Sequence, residues 1–499
     1  MLDESAIADL RAALLAADYT LDAVSDRLGE TGLAGLARNS SVPAQRILAG
    51  ATDAQAQLIR FWLLGRPVAA ATIRPLLGCP DALVAAGLID GNGDQWRAEV
   101  ELKPHGSQSR SGWICSDQTP LDGRNVAPSE DFVLGASPAS TTLTQLVPPG
   151  HYGRVLDLGT GCGIQALHLD AGQLVATDLN ARALELARIS LGLSEVAVDL
   201  RLGSLYEPVA GERFDLIVTN PPYVISPPRP DRLIYRDGGF AGDDLMREVV
   251  TGAAEHLNPG GTLVVLGNWA ITDRPWGERL AEWITPTGCD ALVLQREVLD
   301  PYEYIELWLA DAGLSGRAEY QSRYRQWLNY FADSGITAVG LGWLVLRRAD
   351  RDQPEVRFED WPHAVHQPVG AAFAGFFHAV DAARLPEAEF WAHSWRQAPG
   401  LVQETFGRPG AADPEHLVLR QGYGFGRAIE PGTALAAVVG ACDGELPLGA
   451  LVAAVSGLLG EGNQDLADEL LPRLRELVGL GYLVGEDSQV LTGTRQPRH

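Results

Sequence analysis

The middle of the chain alternates short apolar runs with helical patterns: "RVLDLGTG", "QLVATDLN", "VDLRLG", "FDLIVTN" and "GTLVVLGN", then "ALVLQREV" and "VGLGWLVLRR". Unbroken Leu, Ile and Val runs of this length predict strands buried on both faces by crossover helices. Five strand-helix units followed by two closing strands make a doubly wound α/β domain. Ligands of such sheets bind beyond the carboxyl ends of the strands. Chemistry is therefore expected where each run stops.

The flanks carry a different period. Ala and Leu recur at three- and four-residue spacing in "SAIADLRAALLAADYTLDAVSDRLG" and "AQAQLIRFWLLG", which predicts helices. The stretch "PVAAATIRPLLGCPDALVAAGLIDGNGDQWRAEVEL" reads as two short helical segments, a strand, a Gly-Asn-Gly turn and a second strand, the order of a winged helix. The far end repeats the plan, "LVAAGLID" near residue 84 having a counterpart in "LVGLGYLVGE" near residue 477. A stretch rich in Pro and Asp, "RRADRDQPEVRFEDWPH", marks the last boundary. The expected organisation is a winged-helix-like domain over 1–105, a linker and cofactor-covering segment over 106–149, the α/β domain over 150–350 and a helical domain, again with a winged-helix pattern, over 351–499.

At 499 residues the chain is too long for one ordinary core. Its 46% hydrophobic and 21% charged residues are those of a globular protein, and no apolar run is long enough to cross a membrane. The opening "MLDESAIADLRAALLAADYT" carries acids where a secretory signal needs bases, so a cytoplasmic protein is expected. Five scattered cysteines without CxxC spacing argue against a disulfide framework or a zinc site. Lys103 is the only lysine, and the net charge of −25 opposes tight nonspecific binding to polyanions. The flanking modules are accordingly read as packing or partner modules, with nucleic-acid binding as the rival.

Three strand ends carry chemistry. "VLDLGTGCGIQAL" ends a strand at Asp157 and opens a turn with Gly159, Gly161 and Gly163, where bare backbone lets a ligand approach closely. "LVATDLN" ends the next strand at Asp178, placed to accept both hydrogens of a ribose diol, an arrangement that also suits a dinucleotide. "FDLIVTNPPYV" ends a third on two prolines that cannot continue a ladder.

Together "VLDLGTGCG", "TDLN", "NPPY" and "LNPGGTLVV" resemble the class I methyltransferases that use S-adenosylmethionine, and among them the amino-methylating group with an (N/D)PPY motif. The likeness covers residues 130 to 350, and "YRDGGFAGDDLMREVV" is similar to the "DGG" stretch of protein-glutamine methyltransferases that modify release factors. The resemblance implies a Rossmann-like seven-stranded domain with S-adenosylmethionine as cofactor. It implies that Asp157 with the backbone of Gly159 and Gly161 holds the methionine end and that Asp178 holds the ribose, with Thr160, Gly163 and Leu179 also at the cofactor. The family's acid after the third strand is replaced by Ser204, which leaves adenine to Ser204 and the Leu205 backbone. The segment "DFVLGASPASTTL" matches the family's cofactor cover, with Ser140 and Thr142 as candidate contacts.

The same likeness implies a mechanism. An amide or base-ring amine is a poor nucleophile because its lone pair is delocalised. In the family's mechanism the Asn220 side-chain oxygen and the Pro221 carbonyl accept both hydrogens of the target NH2, aiming the nitrogen at the methyl group. Pro221 and Pro222 hold the loop rigid, and Tyr223 offers a flat face for a planar acceptor.

The motif does not name the acceptor. A glutamine of a protein or peptide leads, a nucleobase amine in rRNA or DNA follows, and a small metabolite is the third choice. Oxygen methylation would need a base or metal, for which His151, His168 and His256 are read as surface or packing residues. "HAVHQ", with His363 and His366, lacks acids at ligand spacing, and no metal is expected. A ligand-sensing DNA-binding regulator is the non-enzyme alternative. The aromatic stretch "LDPYEYIELWLADAG" with "SRYRQWLNYFADSG" is read as core rather than catalytic.

Overall fold

In the computed structural model, the N-terminal Ala and Leu spacing becomes four helices, α1 (Glu4–Ala16), α2 (Leu21–Ala37), α3 (Val42–Ile47) and α4 (Ala54–Leu58). Asp3 caps α1 by accepting from the Ala6 amide at 2.8 Å, and Leu10 and Leu14 form its buried stripe. After β1 (Val68–Ala69) come α5 (Ala70–Ile73), α6 (Pro80–Ala85), β2 (Ile89–Asp90) and β3 (Gln95–Ala98). The strands pair antiparallel in the order β1-β3-β2. The structure describes residues 2–107, 110–123, 129–228, 240–365, 367–409, 415–460 and 462–485.

Across the boundary expected at 105/106, β4 (Val100–Gly106) pairs antiparallel with β5 (Ser111–Asp117), a strand where a linker is expected, followed by α7 (Pro138–Leu146). The α/β domain then runs β6 (Tyr152–Leu158), α8 (Ile164–His168), β7 (Ala171–Asp178), α9 (Ala181–Leu193), β8 (Asp199–Leu202), β9 (Phe214–Thr219), α10 (Asp244–His256) and β10 (Leu257–Ile271). It closes with α11 (Trp276–Ile284), β11 (Cys289–Leu299), α12 (Pro301–Asp311), α13 (Tyr320–Asp333), β12 (Ala338–Arg348) and β13 (Val356–Asp360).

The sheet has eight strands in the order β13-β11-β12-β10-β9-β6-β7-β8. Strands β6 to β10 are parallel, and β12 inserts antiparallel between β10 and β11. The eighth strand, β13, pairs parallel with β11 and extends the sheet past the expected limit at residue 350. Its sequence, "VRFED", alternates weakly and is only half-buried at the edge, which hid it from a reading based on apolar runs. Leu156, Ile217, Leu263 and Val293 lie in one buried cluster with Val249, Val250 and Ile284 from the covering helices.

Chain connection reverses between β6 and β9, which are neighbours in the sheet. Their register sets Leu158 opposite Thr177 on one side and Thr219 on the other. The glycine turn, Asp178 and Asn220 therefore leave the sheet side by side.

These elements, Met1–Thr144 with Gly150–Pro362, form one compact unit. The second unit comprises Gln145–Pro149 and His363–His499. It holds helices Gly370–Ala383, Thr433–Ala441, Leu448–Leu459 and Asn463–Gly479 around Phe390, Trp395, Leu474 and Tyr482. Leu483–Val484 pairs with Arg396–Gln397, and Arg396 also bridges to Asp443. No helix among the described residues is long and apolar enough to cross a membrane.

Candidate active site

The level strand ends open into a cleft of about 1240 Å³, its open mouth included, bounded by the glycine turn, Asp178 to Asn180, Gly203 to Leu205 and Asn220 to Pro222. Its other wall is the segment Phe132 to Gly135 with Ser137 and Ser140. The sequence-predicted Gly159, Thr160, Gly161, Asp178, Leu179, Ser204, Leu205, Asn220, Pro221 and Pro222 thus converge on one space, joined by Gln165, Phe240 and Leu245, which sequence reasoning did not single out.

Asp157 and Gly163 do not line this space. Asp157 is 1% exposed beneath the turn, where one carboxylate oxygen accepts from Thr160 Oγ1 at 2.6 Å and the Ala166 amide at 3.2 Å. Its Oδ1 has no hydrogen-bond partner among the described residues. Burial pushes its pKa up to about 7, partly offset by those two donors. Gly163, at φ +83°, opens α8, and an added Cβ would lie 3.2 Å from Leu191 and 3.4 Å from Ala187 of α9. It sets a close helix approach rather than a ligand contact.

Asp178 shapes the turn from the other side. Its Oδ2 accepts from the Gly161 amide at 2.9 Å and its Oδ1 from the Asn180 amide at 2.8 Å. Burial raises its pKa, and the backbone donors pull it back toward the ionised form. Each oxygen keeps a lone pair for a ligand. Asn180 caps α9 by accepting from the Arg182 amide and donates Nδ2 to the Asp131 carbonyl at 2.9 Å, tying α9 to the far wall. At the lip, Leu179 is half exposed and Leu205 adopts φ +45°, a left-handed conformation costly for a side chain of its size.

The Asn220 corner is rigid and polar. Thr219 Oγ1 donates to the Leu158 carbonyl at 2.7 Å, locking the end of β9 to β6. Asn220 Oδ1 is buried and finds no hydrogen-bond partner among the described residues. Tyr223 turns away from the main cleft into a small adjoining slot with Pro222, Val224, Phe240, Leu245 and Met246. Its burial raises the phenol pKa. Sequence reading missed this because the tyrosine's rotation depends on the α10 side chains packed behind it.

Beyond the corner, the Ile225 amide donates to Tyr304 Oη at 2.9 Å, as does Asn268 Nδ2 at 2.8 Å. Tyr304, fully buried on α12, packs with Val224, Ile225, Trp327 and Phe331. The inward face of the aromatic excursion, with Tyr304, Trp327 and Phe331, is core and buttresses the exit of the Asn-Pro-Pro-Tyr loop, whereas Tyr302 is exposed.

Ser140 lines the cleft, whereas Thr142 does not. His151 pairs with Asp170, His168 sits edge-on to His105, and His256 stacks on Tyr206, so none of the three reaches the cleft. Among the described residues no group of three His, Cys, Asp or Glu is arranged to hold a metal. His366 and the "DGG" at 237–239 lie outside the described residues.

Residues 135–280 match the family described as "Methyltransferase small domain", and residues 16–99 match a domain of unknown function (DUF7059). The release factor glutamine methyltransferase of Xylella fastidiosa is 41% identical over 134 residues, 23% of this chain and 47% of that protein. The ribosomal protein uL3 glutamine methyltransferase of Bradyrhizobium diazoefficiens is 40% identical over 126 residues, 22% and 39% of the two chains. The ribosomal RNA small subunit methyltransferase C of Erwinia tasmaniensis is 30% identical over 138 residues, 27% and 36%. This chain spans less than half the length of each of these relatives. Strand order, cleft and matches agree that the α/β domain has the class I methyltransferase fold and resembles the S-adenosylmethionine-dependent protein-glutamine methyltransferase group.

Proposed function

We propose that the chain transfers the methyl group of S-adenosylmethionine to a planar NH2, with a glutamine side chain of a protein as acceptor. The observation that carries this reading is the buried Asn220 Oδ1 beside the glycine turn and Asp178, without a hydrogen-bond partner among the described residues. Leaving a buried carbonyl oxygen without a donor costs about 1–3 kcal/mol. An NH2 group entering over Asn220 supplies the missing donor.

The residues fit the cofactor. Asp178 offers two oxygens to a ribose diol, and Gly159 and Gly161, at positive φ and without side chains, let a ligand come close beside Thr160. Leu179, Ser204 and Leu205 receive the adenine between apolar surface and backbone. Asp157 acts from beneath by holding Thr160 and the first turn of α8. The bound cofactor supplies an electrophilic methyl group on a sulfonium.

The protein's part is aim. Asn220 Oδ1 and the Pro221 carbonyl accept the two hydrogens of the NH2, which turns the nitrogen lone pair toward the methyl carbon. With the cofactor bound, its sulfonium would supply the methyl group to the nitrogen held by Asn220 and Pro221, and the proton lost from that nitrogen would pass to solvent. Pro221 and Pro222 fix the acceptors before substrate arrives. Tyr223, partly buried in the adjoining slot with Pro222, supports the loop from behind rather than offering its ring to the acceptor.

Two glutamine-modifying relatives and the acidic surface support a protein acceptor. The helix Asn463–Gly479 carries Asp465, Asp468, Glu469 and Glu476 against Arg473 and Arg475, a poor face for a phosphate backbone. A cytoplasmic setting goes with such an acceptor. The test is labelled S-adenosylmethionine with extract from cells lacking the enzyme, followed by separate protease and nuclease digestion. Label lost to protease alone is expected, and label lost to nuclease alone replaces the protein acceptor with a nucleobase amine. Asn220→Ala is expected to lower transfer about 100- to 1000-fold with cofactor affinity within about twofold of wild type. Unchanged turnover would refute the acceptor role of Asn220.

A further inference from the structure

We propose that Asp117, on the strand leaving the N-terminal domain, is the positioning residue of the cofactor cover, so that this domain forms part of the S-adenosylmethionine site. The proposal rests on the reading of the cleft as that cofactor's site.

The cover, Phe132 to Gly135, belongs to neither helix nor strand, so its backbone polar groups must be satisfied from outside. Asp117 does this twice. Its amide donates to the Val133 carbonyl at 3.1 Å, and its Oδ2 accepts from the Val133 amide at 2.8 Å. Val133 is 2% exposed and lines the cleft, so the bond holds a wall residue in place. The same carboxylate is ion-paired with Arg182 in the first turn of α9, four residues past Asp178. One side chain thus joins the hairpin, the cover and the helix that follows the ribose-reading strand.

Neighbouring contacts make the clasp stiff. Gly135 lies so near β5 that an added Cβ would sit 2.6 Å from Ser116 Oγ. Strand β5 runs along α9, its Trp113 and Cys115 amides donating to Ser194 Oγ at 3.1 Å and Ser190 Oγ at 2.9 Å. Just past β5, Asp122 accepts from the Ser41 amide at 2.8 Å and from Arg66 at 2.5 Å, both in the N-terminal domain. A shift of that domain is therefore carried through β5 to the cofactor wall.

The test uses the full chain and calorimetric titration with S-adenosylmethionine and S-adenosylhomocysteine. Asp117→Ala is expected to weaken binding about 10- to 100-fold, since it removes both a part-buried acceptor and an ion-pair partner. Asp117→Asn keeps an oxygen for the Val133 amide and is expected to recover at least half of that loss on a logarithmic scale. Affinity within twofold of wild type in Asp117→Ala, with only the melting temperature lowered, overturns the proposal, as does equal loss in both variants. If Asp117→Ala does not fold, hydrogen exchange at the Val133 amide of wild type decides: slow exchange without cofactor supports the clasp, and free exchange overturns it. Failure of the wild-type chain to bind either molecule refutes the reading of the cleft instead.

Discussion

Tyr304→Phe isolates what the aromatic excursion does for the Asn-Pro-Pro-Tyr loop. The substitution keeps the ring and its contacts with Trp308, Trp327 and Phe331, and removes only the hydroxyl. Two buried donors, the Ile225 amide and Asn268 Nδ2, then lose their acceptor. At about 1–3 kcal/mol for each stranded group, the folded state loses about 2–6 kcal/mol unless the loop moves to water. Moving the loop is the cheaper response, because Ile225 lies only five residues from Asn220, near the cleft. Hydrogen exchange at the Ile225 amide is expected to quicken about 5- to 150-fold, the equivalent of 1–3 kcal/mol. Under the proposed mechanism kcat falls with it, since Asn220 and Pro221 are no longer held on target, while S-adenosylmethionine affinity stays within about twofold. Exchange at Ile225 and turnover both matching wild type would refute the buttress.

Other outcomes follow from buried charge. Asp157 has its pKa raised to about 7 by burial, so it folds as the acid and is progressively penalised as pH rises between its unfolded value and about 7. Its contribution to stability is complete below about pH 4 and lost above about pH 7, a swing of about 4 kcal/mol. In urea unfolding, Asp157→Asn minus wild type should climb across that window and then level; a flat difference between pH 4 and 8 contradicts it. Arg279→Ala leaves the Asp243 carboxylate, which also accepts from the Ala270 amide at 2.8 Å, buried without its cation. Denaturant unfolding should show about 3–5 kcal/mol lost, and a loss under 1 kcal/mol would count against a load on this pair.

The glycine turn, the acid ending β7 and the Asn-Pro-Pro-Tyr corner are legible in the chain because each is encoded within a dozen contiguous residues. An apolar run that stops on Gly, Asp or Pro states both the strand and where its end faces. Periodicity likewise announces the aromatic helices as core, which holds for their inward face, where Tyr304 is fully buried. The fine placement of side chains is less local. Tyr223 follows the packing of Phe240, Leu245 and Met246, and Asp157 takes its place from the close approach of α8, neither of which is written in their own neighbourhoods.

Long-range pairing settled the rest. Strand β5 occupies a stretch that reads as a linker, because "SGWICSD" becomes a strand only against "VELKPHG" and then lies on α9. Strand β13 exists because β11 has a free edge to receive it. The clasp from Asp117 to Val133 spans 16 residues with no motif to mark it. Short-range chemistry survives in a linear reading because bond geometry and apolar period act between neighbours. Register, edges and burial are set by whatever the completed sheet leaves exposed, and no single segment carries that information.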